Sequence, residues 1–231
     1  MNIIQGQPLK AKSGKLGLDL DNLNCYLLTV MTASFPQANF FQGGYYHIFN
    51  RGIRKQNLFN DEKDYQRYIT RLKEYKGKHH ISILAYCLMP NHIHLLVRQD
   101  GPEPASKFIQ RLHTAYTMYF NKKYGLIGHP FQSRFKAKIV DRDEYLMHLS
   151  RYIHLNPAKL VSKLPSYKWS SYPKYLEETD DQIPDTKLIL SMFKTKNGSL
   201  EDARSSYKEF VRAQEQIHLD KISHLLFPHD N

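Results

Sequence analysis

The stretch "ISILAYCLMPNHIHLLVRQ" (81–99) decides the fold. It holds two apolar runs of strand length, 81–89 and 92–99, split by Pro90-Asn91, a pair suited to a tight hairpin turn. In a strand, residues i and i+2 point to the same face, so His92 and His94 project together while Ile93 and Leu95 point away. Taken alone, this His-x-His pattern has two readings. The imidazoles are either packed neighbours with backbone partners or two ligands for one cation.

The surrounding pattern gives the hairpin its setting. Upstream, "YYHIFNRG" (45–52) reads as an aromatic-rich strand, and 61–78 has apolar residues at helical spacing behind Asp61 in a capping position. Downstream, a second amphipathic helix runs over about 104–124. A strand covers 134–141, in which Phe135, Ala137 and Ile139 alternate with Arg134, Lys136 and Lys138. A third helix covers about 142–156 and stops before Pro157, because the residue preceding proline is pushed out of the α region. The order β-α-β-β-α-β-α predicts an α+β protein. Its core would be a ferredoxin-like split β-α-β antiparallel sheet with helices on one face. Residues 1–42 show no sustained period and read as a poorly ordered leader. The main domain would span 43–177, followed by a C-terminal helical extension over 178–231.

The chain has 231 residues and carries 33 Lys+Arg against 22 Asp+Glu, a net +11. Between Asp100 and Tyr175 there are 13 Lys/Arg and 5 Asp/Glu, so most of the excess lies in one third of the sequence. This basic region is also rich in Tyr, Phe and His, a mixture that tracks a phosphate backbone and stacks bases. Cys25 and Cys87 are too few for a disulfide framework. No secretory signal and no apolar run of spanning length is present, so the expectation is a cytoplasmic protein that does not enter a membrane.

In "LSRYIHLNPAK" (149–159), Tyr152 and Asn156 lie four apart and share one helix face. They are either an amphipathic border or a tyrosine nucleophile with an amide ligand one turn later. Tyr116 and Tyr119 rival Tyr152, but neither has an amide four residues on, and both fall on an apolar face. His148, one turn before Tyr152, either orients the phenol or sits at the surface.

Five blocks, "YYHIFNRG", "AYCLMPNHIHLLV", "LHTAYTMYFNKKYG", "GHPFQSRFKAKIVDRDEYLMHLSRYIHLNPAKLV" and "YKWSSYPKYL", closely resemble the single-tyrosine HUH transposases, in particular the type associated with repetitive extragenic palindromes. The resemblance spans about residues 44–176. It implies a transposase and endonuclease that cleaves single-stranded DNA near a hairpin in a palindromic repeat, using Mg²⁺ or Mn²⁺ and a transient 5′-phosphotyrosine. It places Tyr152 at the nucleophile and His92, His94 and Asn156 at the metal. For DNA contacts the candidates are Arg134, Lys136, Lys138, Lys122, Lys123 and Arg151. Monomeric and homodimeric forms are both compatible. The rival reading is a domesticated relative that binds nucleic acid without turnover.

Overall fold

A computed structural model of the chain describes residues 39–177 and 179–215. The expected leader therefore lies almost wholly outside the described residues, as do Cys25 and the end of the C-terminal extension.

Four strands form one antiparallel sheet: β1 (Tyr45–Arg51), β2 (Ile81–Met89), β3 (His92–Gln99) and β4 (Lys136–Val140), in the order β2-β3-β1-β4. The hairpin is as tight as the sequence suggests, with Met89 paired to His92 across Pro90-Asn91. Helix α1 (Glu62–Lys78) starts at Asp61, whose side chain accepts from the Asp64 amide in a capping box. Helix α2 (Ala105–Tyr124) ends at Gly125, whose left-handed φ of 64° lets the chain leave the helix. Helices α1 and α2 cover one face of the sheet. There Ile48, Ile93, Leu95 and Val97 meet Tyr68, Leu72, Phe108, Leu112 and Tyr116 in one buried cluster. Burying each such side chain contributes roughly 1.5–3 kcal/mol. Tyr116 is fully buried and donates to the Leu58 carbonyl, so it is a core residue, as its spacing suggests.

The other face is covered too. Helix α3 (Asp143–Leu155) packs on β2 and β3 opposite α1 and α2. The expectation of helices on one face thus holds for the first two helices, and the third closes the sheet from the other side. The physical sign is in β3 itself: a nearly continuous apolar run suits a strand buried on both faces.

Beyond α3, a 3-10 turn (Asn156–Lys159) leads to a segment that lies along β2, where Leu88 donates to the Trp169 carbonyl and Ser171 to that of Tyr86. This caps an otherwise open sheet edge. Three shorter helices follow, α4 (Tyr172–Leu176), α5 (Lys187–Ser191) and α6 (Leu200–Arg212), and α6 packs against α3, α4 and α5. Among the described residues no helix is long and apolar enough to cross a membrane.

Candidate active site on the histidine face of the sheet

Alternation along β3 turns His92 and His94 toward α3, and both are buried. Their ring centroids lie 5.1 Å apart at 87°. Antiparallel pairing sets Phe49 opposite His94 and brings β1's His47 in diagonally, its ring stacked on His94 at 5.3 Å. His47 is a third buried histidine of the cluster. Strand alternation marks its face in "YYHIFNRG", but its neighbour is fixed only by a register joining segments 47 residues apart.

Helix α3 lays Tyr152 across this group. The Tyr152 ring stands edge-on to His94 at 5.6 Å and to His47 at 6.3 Å. Asn156 follows one turn later with helical backbone angles, so the two side chains share a face. Asn156 Nδ2 donates to the Tyr152 carbonyl at 2.9 Å, leaving Oδ1 as the atom available to the neighbouring His92 ring. The structure thus brings together Tyr152, His92, His94 and Asn156, all from one chain.

The back of α3 is anchored independently. His154 Nδ1 meets the Tyr207 hydroxyl at 2.7 Å, its Nε2 meets Ser171 Oγ at 2.7 Å, and Tyr207 also reaches Ser150 Oγ at 3.0 Å. This network belongs to α3, α4 and α6. It holds the tyrosine-bearing helix rigidly against the sheet.

Burial sets the electrostatics. It lowers the His92 pKa to about 4 and that of His47 to about 3, the latter aided by nearby Lys138, and it drives His94 well below the ordinary range. All three imidazoles are therefore neutral at neutral pH and carry nitrogen lone pairs. Burial pushes the Tyr152 phenol up, so it stays protonated until positive charge arrives beside it. Lys138 is pulled down to about 7, by burial first and then by Lys136.

The donor set fits a divalent cation on one count in particular. His94 Nε2 is buried and meets no hydrogen-bond partner among the described residues. An unanswered lone pair in a dry site is unfavourable unless a proton donor or a cation satisfies it. Among the described residues no cluster of three His, Cys, Asp or Glu side chains could hold a metal, and the Asn156 amide is the polar side chain beside His92.

The basic candidates divide. Arg134 and Lys136 are exposed, and Arg134 precedes β4 rather than lying in it. Lys136 and Lys138 face the same side as Phe49 and His47, their partners in register. The basic row that alternates with Phe135, Ala137 and Ile139 is therefore on the side that carries the histidines, where a half-exposed strand would have turned it to solvent. Lys138 is only 5 % exposed there. Lys122 is exposed at the end of α2. Two candidates are engaged in the fold instead. Lys123 Nζ pairs with Asp61 and Asp64, both at 2.7 Å, tying the end of α2 to the start of α1. Arg151 is buried, with its guanidinium 4.1 Å from the centre of the Phe210 ring and Nη2 2.7 Å from His148 Nδ1. His148 is accordingly buried against α6 and is not a surface residue.

The family model described as transposase, IS200-like, matches residues 41–156, from just before β1 to Asn156. The chain belongs to this family of DNA-cleaving transposases. A solved REP-associated tyrosine transposase bound to a REP hairpin has the same fold, with a TM-score of 0.54 at 17% identity over 66% of this chain and 98% of that one. A proposed transposase from Deinococcus radiodurans R1 aligns with a TM-score of 0.37 at 15% identity, over 53% of this chain and 95% of that one. No curated protein matches the chain.

Proposed function

We propose that this transposase is a metal-dependent single-strand DNA endonuclease and strand transferase that acts near hairpins through a covalent 5′-phosphotyrosine on Tyr152. The observation that carries this reading is the juxtaposition of the Tyr152 ring with His94, and of Asn156 with His92, on one buried face. The Tyr152 oxygen attacks the scissile phosphorus and the DNA 3′-oxygen leaves as a hydroxyl, so the phosphate's 5′ side stays on the protein. Reversal by a 3′-hydroxyl rejoins the strand.

His92, His94 and Asn156 would hold a divalent cation, Mg²⁺ or Mn²⁺, with phosphate oxygens completing its shell. Such an ion, when bound, supplies positive charge to the non-bridging oxygens. His47 and Phe49 wall the site from water, and α3 holds the phenol in place. Arg134, Lys136 and Lys122 are the exposed cations suited to phosphate contacts, with Lys138 nearer the histidines. The DNA would be a single strand carrying a palindromic hairpin, engaged by a monomer or a homodimer. As a transposase that acts on DNA, it would work in the cytoplasm.

The test is incubation with Mn²⁺ and end-labelled hairpin DNA from the flanks of its own gene. An SDS-stable protein–DNA adduct is expected from the wild type and none from Tyr152→Phe. A wild type that binds the hairpin but forms no adduct would instead indicate a binding protein without turnover.

A further inference from the structure

Each proposed ligand histidine has its other ring nitrogen already engaged. His92 Nδ1 lies 2.7 Å from Asn91 Oδ1, and His94 Nδ1 lies 3.0 Å from His47 Nε2. A neutral imidazole carries one N–H, so whichever nitrogen donates leaves the other with a lone pair. Asn91 Oδ1 can only accept. Its orientation is set from the other end, where Asn91 Nδ2 faces the Lys55 carbonyl at 3.4 Å. His92 must then donate from Nδ1 and present Nε2 as a base.

His47 stands to His94 as Asn91 stands to His92. It is 1 % exposed, and its Nε2 is directed at His94. Among the described residues it belongs to no three-residue His, Cys, Asp or Glu metal cluster, and with its Nε2 engaged by His94 any effect on a bound ion would run through that neighbour. Of the two tautomers the 3.0 Å contact allows, one has His94 donating to His47 and frees His94 Nε2. Each tautomer leaves one buried N–H without a partner among the described residues, on His47 Nδ1 in the first and on His94 Nε2 in the second, and only the first keeps the His94 Nε2 lone pair that a cation would take.

We propose that His47 and Asn91 are positioning residues that accept the Nδ1–H of His94 and His92 and hold both rings in the tautomer whose Nε2 can bind a divalent cation. The pair comes from different places, a β1 strand position and the hairpin turn, and each acts on one ring. Such outer partners raise the basicity of a ligand imidazole and fix its plane, and losing one typically weakens metal binding by about 10–100-fold. This inference rests on the metal reading of the site given above.

The experiment uses the full chain and two readouts. Long-range ¹⁵N–¹H correlation on metal-free protein reports which nitrogen of His92 and His94 carries the proton; Nδ1 is expected for both. Titration with Co²⁺, which imidazole binds more tightly than Mn²⁺, is followed by visible absorption. His47→Phe keeps an aromatic ring but no acceptor, and Asn91→Leu likewise removes the acceptor. Both should weaken Co²⁺ binding by about 10–100-fold. His47→Gln restores an acceptor oxygen and should recover most of the loss. A proton on Nε2 of either ring in the wild type overturns the proposal. So does wild-type Co²⁺ affinity in folded His47→Phe and Asn91→Leu when His94→Ala has lost it. A wild type that binds Co²⁺ no better than His94→Ala removes the metal reading itself, and the nitrogen assignment still decides the hydrogen-bond roles.

Discussion

The face of the sheet turned toward α1 and α2 is closed by Ile48, Ile93, Leu95 and Val97. The face turned toward α3 is closed by His47, His92, His94 and Lys138. Both are dry, and both use alternate residues of the same strands. On the first face burial removes apolar surface from water and stabilises the fold. On the second it lowers basicity, orphans a ring nitrogen and raises the tyrosine pKa, features that do little for folding and suit a cation and a phosphate. One sheet separates the work of folding from the chemistry, and a substitution on each face should tell them apart.

The largest expected effect is on the second face. Tyr152→Phe should reduce adduct formation by about a thousandfold or more while changing stability by no more than about 1 kcal/mol, checked by adduct yield and by urea unfolding. Phe108→Ala on the first face should do the reverse. It should lower stability by about 3–5 kcal/mol, with adduct chemistry per folded molecule unchanged. Equal damage to both properties by either substitution would dissolve the distinction.

Acid should reveal the buried imidazoles of both faces and of α3 without mutation. Burial lowers the pKa of His92 and His148 to about 4, and those of His47, His113 and His154 to about 3. Each folded value lies below the ordinary histidine pKa of about 6.5, so in that window the unfolded chain binds more protons. Stability is then fully present above about pH 6.5 and is lost as pH falls toward 4. The melting temperature of metal-free protein should drop by on the order of 10 °C or more between pH 7 and pH 5. Differential scanning calorimetry would detect this, and a flat profile would mean the imidazoles are already charged or solvated. The smallest effect concerns surface cations. Arg134→Ala and Lys136→Ala should each lower the salt dependence of single-strand binding by about 0.7 in log–log slope, whereas Arg151→Met should leave that slope unchanged.

The four residues proposed for the site are brought together as their spacing suggests, because their signals are local. The His92–His94 spacing reads on a strand, and the Tyr152–Asn156 spacing on a helix. The capping box at Asp61 and the stop at Pro157 are likewise short-range, and they set the ends of α1 and α3 closely. What stays hidden depends on register or on distant packing. His47 gains its meaning only when β1 pairs with β3. Asn91 reads as turn chemistry until its side chain is seen against His92. Lys138 alternates like a solvent-facing lysine, because nothing in β4 announces that α3 covers that side of the sheet. Arg151 is basic and next to the proposed nucleophile, yet Phe210, 59 residues later, takes its guanidinium. Charge in a sequence shows how many cations exist, and burial decides which of them can meet DNA.

The central claim is that Tyr152 and no other tyrosine becomes joined to DNA. Trypsin cuts after Arg151 and Lys159, releasing "YIHLNPAK" (152–159), which contains a single tyrosine. Mass spectrometry of the digested, nuclease-trimmed adduct should find the nucleotide mass on this peptide alone. The same mass on the peptide bearing Tyr116 and Tyr119, or no modified tyrosine in a verified adduct, would contradict the account.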